Sequence, residues 1–274
     1  MNDCGNIDSV KVFIEQTKED YKKWGIGESP WFPWFRGEPE CNTPLVPKLY
    51  RKKYQDDYFE NRLLQHFRMK AMIYGKTPLR NETDLWLFLA QHVGLPTRLL
   101  DWTGSSSIAL YFALQEINNE KIPVVWMLNP FALNDLSLPE KQRKLYNVYG
   151  LTWYSPEDKN ITNIANANIQ AAWSNEEGAI ELPVAIPPTY VHQRIPAQIS
   201  CFTIHGKQKE SMCKILSGKD ILKKYVIDPN KSIEMLEDLR TLGVSRAALF
   251  PDLDGLARDL TELFRPDLAW PKMF

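Results

Sequence analysis

Two short polar clusters in the sequence combine charged side chains with aromatic residues and glycine. The first is Trp34 to Glu38 (WFRGE), a stretch that is typical of a short β-strand ending at a glycine turn. The guanidinium of Arg36 keeps its charge and must therefore find an anion within or beside the fold. The cluster predicts either an internal pair of Arg36 with Glu38 or Asp101, or a phosphate-binding arginine.

The second cluster is Leu89 to Thr103 (LAQHVGLPTRLLDWT), which places polar groups at a helix end, a tight turn and a strand. His92 falls near the C-terminus of the predicted helix, where the helix dipole favours its charged form. Arg98 and Asp101 are spaced to form a buried pair. Both a functional site and a satisfied structural network fit this pattern.

The elements that position these clusters are predicted from hydrophobic periodicity. Helical spacing predicts helices over residues 10–24, 59–71, 85–93, 105–115, 232–242 and from 252 onward, and apolar runs predict strands at 34–38, 122–128, 179–186, 198–205, 224–227 and 246–250, with a strand or loop at 97–101. No GxGxxG motif follows a strand, so a Rossmann or P-loop fold has little support. The pattern predicts an α+β fold with a mixed, mainly antiparallel sheet flanked by helices.

Composition limits the classes of function. The 274 residues carry a net charge of −1, so no overall positive field exists to hold a polyanion. No apolar run reaches the roughly 18 residues of a membrane span, and we expect a cytoplasmic protein without membrane contact. The four cysteines show no CxxC spacing, so we expect reduced thiols and no metal.

Five sequence stretches resemble the FRG domain family. They are FRGE at 35–38, PKLYR at 47–51, AQHVGLPTRLLDWT at 90–103, RIPAQISCFTIHG at 194–206 and LGVSRAALFPDLDGLA at 242–257. On this basis we interpret residues 1–30 as an N-terminal helix and residues 31–274 as one FRG domain, with a mobile insertion at 130–175. The resemblance implies a bacterial or phage-associated protein and supplies no particular reaction.

The order of the elements also resembles that of ADP-ribosyltransferases, which implies NAD as the substrate. Arg36 would hold the pyrophosphate, and Gly37 would let the backbone approach the nicotinamide amide. Thr103 and Ser105 would stand where those enzymes place a hydroxyl-rich stretch. The full predicted binding set is Arg36, Gly37, Arg98, Trp102, Thr103 and Ser105.

The predicted catalytic residues are Gln198, Asp101 and His92. Gln198 stands where the transferases carry a glutamate, and an uncharged amide gives less stabilisation of an oxocarbenium-like transition state. A carboxylate from Asp101, Glu38 or Glu181 would then have to replace it. His205, at the end of the same strand, is either a proton carrier or a strand-end hydrogen bonder.

Three functions remain open from the sequence. The first is an enzyme that cleaves NAD and transfers ADP-ribose to a nucleic-acid or protein acceptor, as a toxin or phage-defence effector does. The second is a non-catalytic module that binds a nucleotide or nucleic acid, and the third is a polar core network without a ligand. An open cavity on which Arg36, His92, Asp101 and Gln198 converge would favour either of the first two functions over the third.

Overall fold

A seven-stranded sheet forms the centre of the protein. The computed structural model describes residues 3–25, 33–51, 59–75, 77–79, 82–116, 120–138, 172, 179–186 and 193–264. The strands are β1 (Asp3–Ile7), β2 (Trp34–Glu38), β3 (Leu99–Thr103), β4 (Val124–Leu128), β5 (Val184–Ile186), β6 (Ser200–Ile204) and β7 (Leu222–Ile227). Their order across the sheet is β1-β7-β4-β2-β3-β6-β5. β1 pairs with β7 in parallel and the other neighbours are antiparallel, which confirms the predicted mixed, mainly antiparallel α+β fold.

Helices cover both faces of the sheet. Those in the described ranges are α1 (Val10–Lys23), α2 (Phe59–Ala71), α3 (Thr83–His92), α4 (Ser106–Leu114), α5 (Pro130–Ser137), α6 (Arg194–Ala197), α7 (Met212–Ile215), α8 (Ser232–Thr241), α9 (Arg246–Leu249) and α10 (Leu253–Leu263). Within this part of the chain, no helix is both long and apolar enough to cross a bilayer.

Alternation along the strands divides the core into layers. On β2, Phe35 packs with α1, α4 and α8, whereas Trp34 packs on the opposite face with residues of α5 and α7. α4 is apolar on all sides and lies buried against the first face. A third group around α3 covers the end of the sheet formed by β5 and β6.

The sheet opens between β2 and β3. β2 pairs with β4 along its whole length, from Trp34 to Glu38. β2 pairs with β3 at Phe35 and Thr103 alone among the described residues, whereas β3 pairs with β6 along its whole length. The two strands therefore diverge after Phe35, and we call this opening the β2–β3 fork.

Two segments differ from their predictions. Residues 246–250 were predicted as a strand, but the structure has helix α9, because the Ser245 side chain accepts a hydrogen bond from the Ala248 backbone N–H and caps a helical turn. β1 was not predicted, since its sequence DCGNI lacks an alternating apolar pattern. β1 adds an edge strand to the sheet, and α1 packs on the same core, with Phe13 edge-on to Tyr225.

The predicted insertion at 130–175 begins as helix α5, which is capped by Asn129. Apart from residue 172, the rest of it after 138 lies outside the described residues.

Candidate functional site

An open cleft of about 380 Å³ lies at the β2–β3 fork. Seven of the nine predicted site residues line it: Arg36, Gly37, His92, Asp101, Trp102, Thr103 and Gln198. β2 and β3 supply the two charged groups nearest the fork, and the end of α3 supplies His92. These residues are far apart in the sequence, and the strand order brings them together.

Arg36 is held by its own chain beside the cleft. Its Nε donates to Glu38 Oε1 at 2.7 Å, and Nη2 lies 2.6 Å from the same oxygen. Nη1 donates to the backbone carbonyl of Asp101 at 2.7 Å, which spans the fork. These contacts use three of the five N–H donors of a guanidinium, and the Arg36 side chain is 17% exposed. The internal pair with Glu38 is present, and the cleft lies beside it.

Asp101 presents a positioned carboxylate to the cleft. Its side chain is 55% exposed, and Oδ2 lies 3.9 Å from Arg36 Nη1. Gln91 Nε2 donates to Asp101 Oδ2 at 2.8 Å, and the Gln91 carbonyl oxygen accepts from the Thr97 hydroxyl. Sequence reasoning missed Gln91, although it lies one residue before His92 at the same helix end. The hydrogen bonds from Thr97 through Gln91 orient the Asp101 carboxylate.

The far wall is built by α6 and the chain after α9. Gln198 follows α6; its Nε2 donates to the Leu249 carbonyl at 3.1 Å, and its backbone carbonyl accepts from the Thr103 hydroxyl at 2.7 Å. Arg194 Nε donates to Asp252 Oδ2 at 2.9 Å, which ties α6 to the start of α10. The amide of Gln198 is thus fixed at the cleft.

The same wall carries residues that sequence reasoning missed. Arg194, Phe250 and Phe112 also line the cleft. The Arg194 guanidinium lies 5.1 Å from the centre of the Phe250 ring, and the Phe112 and Phe250 rings meet edge to face at 6.1 Å. The wall is therefore both aromatic and cationic.

The lining of the cleft carries two guanidiniums, those of Arg36 and Arg194, and one carboxylate, that of Asp101. Arg36 is paired with Glu38 and Arg194 with Asp252, so each arginine is neutralised by its own chain. Asp101 adds a further negative charge at the surface of the cleft. With the imidazole left aside, these described groups carry one net negative charge.

The two other predicted site residues lie outside the cleft. Arg98 pairs with Glu60, with Nε and Nη2 at 2.8 and 2.6 Å from Oε2, so the predicted pair of Arg98 with Asp101 is wrong. The sequence did not predict Glu60 as the partner of Arg98, because 38 residues separate the two along the chain. Ser105 is the N-cap of α4, where its hydroxyl accepts from the Ile108 N–H at 3.4 Å.

Metal and thiol chemistry receive no support from the described residues. Among them, no group of three His, Cys, Asp or Glu side chains is placed to hold a metal ion. Cys41, Cys201 and Cys213 are free cysteines, and burial raises the pKa of the Cys201 thiol to about 12. A thiol with that pKa is a poor nucleophile near neutral pH.

Comparison with protein-family models matched residues 33–121 to the FRG domain. The chain contains an FRG domain. The match covers the strands and helices that form the near wall of the cleft, including β2, α3 and β3. No match was found to a curated protein or to a solved structure, so the resemblance to ADP-ribosyltransferases stays a prediction.

The three residues of the FRG motif have separate tasks in this structure. Phe35 packs in the core beneath the fork, and Arg36 bridges the fork to Asp101. A Cβ atom on Gly37 would collide with the backbone carbonyl of Ala109, so Gly37 lets α4 lie directly on β2. The glycine of the FRG motif therefore serves close helix packing.

Trp102 and Thr103 act mainly by joining β3 to the chain on its other side. Trp102 is buried, and its Nε1 donates to the Thr203 hydroxyl at 3.1 Å. The buried Thr103 hydroxyl donates to Gln198 and accepts from the Ser105 N–H at 3.1 Å. Both side chains brace the strand that presents Asp101.

Proposed function

We propose that the cleft binds NAD and cleaves the bond between nicotinamide and ribose. The observation that carries the proposal is the convergence of Arg36, Asp101 and Gln198, from three separate segments, on one cleft with aromatic walls. A concave site with a few converging polar groups and an aromatic lining is typical of small-molecule binding.

The charge of the cleft supports NAD over other nucleotides. The nicotinamide ring of NAD is cationic, and the excess carboxylate at Asp101 attracts a cation. Arg36 retains N–H donors for a phosphate oxygen, although Glu38 reduces its attraction for anions. A volume of about 380 Å³ is near the lower end of ligand sites, which suits the nicotinamide half of the dinucleotide.

The proposed chemistry assigns a role to each polar group. When the C–N bond breaks, its electron pair passes to nicotinamide, and positive charge develops on the ribose. The Asp101 carboxylate stabilises that charge, while the Gln198 amide hydrogen-bonds a ribose hydroxyl. His92 accepts the proton from the attacking water or acceptor hydroxyl. The products are nicotinamide and either free ADP-ribose or an ADP-ribosylated nucleic acid or protein.

Release of nicotinamide from NAD tests this proposal. The wild-type protein is expected to release nicotinamide, and Asp101→Asn is expected to lower the rate about 10²-fold or more, because it removes the charge and keeps the shape. Arg36→Lys keeps the positive charge but loses the planar guanidinium, so we expect this variant also to lower the rate of nicotinamide release.

A matched control is Asp220→Asn, which removes an exposed carboxylate that pairs with Lys223 outside the cleft. It should leave the rate unchanged. If wild-type protein releases no nicotinamide with water, DNA, RNA or protein acceptors, NAD cleavage by this cleft is excluded.

The second candidate is a module that binds NAD or another nucleotide without turnover. It is favoured by Gln198, because the uncharged amide is committed to Leu249 and supplies no negative charge. Ligand-induced stabilisation without nicotinamide release would support this candidate, because a ligand that binds the native state raises the melting temperature. An active enzyme would suit a role as a toxin or phage-defence effector.

A further inference from the structure

The cleft contains a hydroxyl group that the fold leaves unused. Among the described residues that line it, Thr103 and Ser200 carry hydroxyls, and none is Cys, Lys or Tyr. The Thr103 hydroxyl is buried and engaged, because it donates to the Gln198 carbonyl at 2.7 Å and accepts from the Ser105 N–H at 3.1 Å. The Ser200 hydroxyl has no hydrogen-bond partner among the described residues and is not sealed from solvent. Ser200 is therefore the free hydroxyl of the described lining.

The strand register places Ser200 on the same face of the sheet as Asp101. In the antiparallel ladder of β3 and β6, Thr103 pairs with Ser200 and Asp101 pairs with Phe202. Paired side chains lie on one face and alternate residues of a strand share a face, so Asp101 and Ser200 point to the same side. They are diagonal neighbours, which lie about 7–8 Å apart in such a ladder. A ribose bound between them can contact both side chains.

The backbone directly before Ser200 is held in a costly conformation. Ile199 has a φ of 46°, and it is the only described residue other than glycine with a positive φ. A β-branched side chain is strained in this left-handed region, and such strain clusters at functional sites. The turn is fixed to β3 and the residue after it, because the Gly104 N–H donates to the Ile199 carbonyl at 2.9 Å and Thr103 donates to the Gln198 carbonyl. The fold thus keeps a strained turn at the place where it presents Gln198 and Ser200 to the cleft.

We propose that the cleft transfers ADP-ribose to its own Ser200. This inference rests on the proposed NAD cleavage and names the acceptor. The Ser200 oxygen forms a bond to carbon C1′ of the ribose, while the bond from C1′ to the nicotinamide nitrogen breaks. The electron pair of the broken bond neutralises the nicotinamide ring, and the hydroxyl proton passes to His92.

Modification of Ser200 limits the activity of the chain that carries it. The attached ADP-ribose occupies the lining of a cleft whose volume, about 380 Å³, is near the lower end of ligand sites. A second NAD molecule then has no room to place its nicotinamide half there. Each chain therefore stops cleaving NAD once its own Ser200 is modified.

Intact-mass spectrometry of the full chain incubated with NAD tests the proposal, with nicotinamide release measured in the same samples. Wild-type protein is expected to gain the mass of one ADP-ribose, which peptide fragmentation places on Ser200. Because the cleft and the acceptor belong to one chain, the rate of modification per chain should not change on dilution. Nicotinamide release should slow as the modified fraction rises.

Two variants of Ser200 separate the acceptor from the rest of the site. Ser200→Ala is expected to lose the adduct, and its nicotinamide release should continue without slowing, because water becomes the acceptor. Ser200→Thr keeps a hydroxyl and should still be modified. The control Ser217→Ala, at an exposed serine that is not among the described lining residues, should behave like wild type.

The outcomes distinguish this inference from the proposed function. Nicotinamide release without an adduct, an adduct that persists in Ser200→Ala, or a rate of modification that falls on dilution would overturn self-modification and leave NAD cleavage standing. No nicotinamide release from either wild type or Ser200→Ala would overturn both.

Discussion

At the scale of single residues, the cleft is defined as much by its carboxylates as by its arginines. Glu38 accepts from Arg36, and Asp252 accepts from Arg194, so neither guanidinium is a bare cation. Asp101 has no such neutralising partner within hydrogen-bond distance among the described cations, since Arg36 Nη1 lies 3.9 Å from it. This balance is the reason why we propose a ligand that carries both a phosphate and a cationic ring.

From the burial of His205 we predict how the free energy of unfolding depends on pH. The imidazole is fully buried, and neither ring nitrogen has a hydrogen-bond partner in the described structure, so the predicted strand-end hydrogen bond of the side chain is absent there. Burial lowers the pKa of His205 to about 3, and the nearby charge of Arg98 acts in the same direction. In the unfolded chain the pKa of this histidine is about 6.5, so below that pH the unfolded chain binds a proton that the native protein does not bind.

Stability should therefore fall as the pH drops from about 6.5 towards 3, by up to about 1.4 kcal/mol per pH unit from this residue. In His205→Leu this contribution disappears, so urea unfolding should show a shallower loss of stability with acid than wild type. Equal slopes for wild type and His205→Leu would contradict the assignment of a lowered pKa.

At the scale of elements, the cleft exists because β2 and β3 part after one residue pair. α4 fixes β2 at that point through Gly37, and Gln91 and His92 reach the fork because α3 ends there. Periodicity was sufficient to predict α1, α2 and α3, because each carries an apolar face, and apolar runs predicted most of the strands. α4 was predicted with one apolar side, but the helix is apolar on all sides.

Gly37→Ala tests this packing. The new methyl group would collide with the Ala109 carbonyl, and backbone cannot move aside as a side chain can, so we expect a loss of about 3 kcal/mol or more of unfolding free energy. At Gly104, an added Cβ would lie 3.0 Å from the Cγ2 methyl of Ile199 and would not collide with backbone, so Gly104→Ala should cost less. Chemical denaturation of both variants measures the difference. A smaller loss for Gly37→Ala than for Gly104→Ala would contradict this role of the FRG glycine.

The far wall shows where prediction from sequence fails at the level of elements. Residues 246–250 read as a strand, since an apolar run of this length fits a strand or a helix equally well. The N-cap at Ser245 favours a helix, and Phe250, which directly follows α9, lies at the cleft. Arg194 is likewise held in place by Asp252. Because Asp252 lies 58 residues later in the chain, no local sequence pattern predicts this pair.

At the scale of the whole molecule, the FRG match at 33–121 covers only the near side of the site. β6 and β4, which flank β3 and β2, lie outside that range, as does the far wall except for Phe112. β1 and α1 complete the same sheet and core from the other end. Residue types alone were enough to select Arg36, His92, Asp101 and Trp102, because the stretches 34–38 and 89–103 are dense in polar and aromatic groups, whereas the resemblance to ADP-ribosyltransferases supplied Gly37, Thr103 and Gln198. The sequence could not predict Glu60, Asp252 and Leu249 as the partners of these side chains, because each contact joins residues far apart along the chain.

We propose that this cleft takes the nicotinamide half of NAD. Calorimetric titration with nicotinamide mononucleotide and, separately, with AMP tests it directly, because the two share a ribose phosphate and differ in the charge of the base. We expect nicotinamide mononucleotide to bind at least about tenfold more tightly than AMP, and Asp101→Asn to abolish the preference. Equal or tighter binding of AMP, or no binding of either at millimolar concentration, would contradict the account.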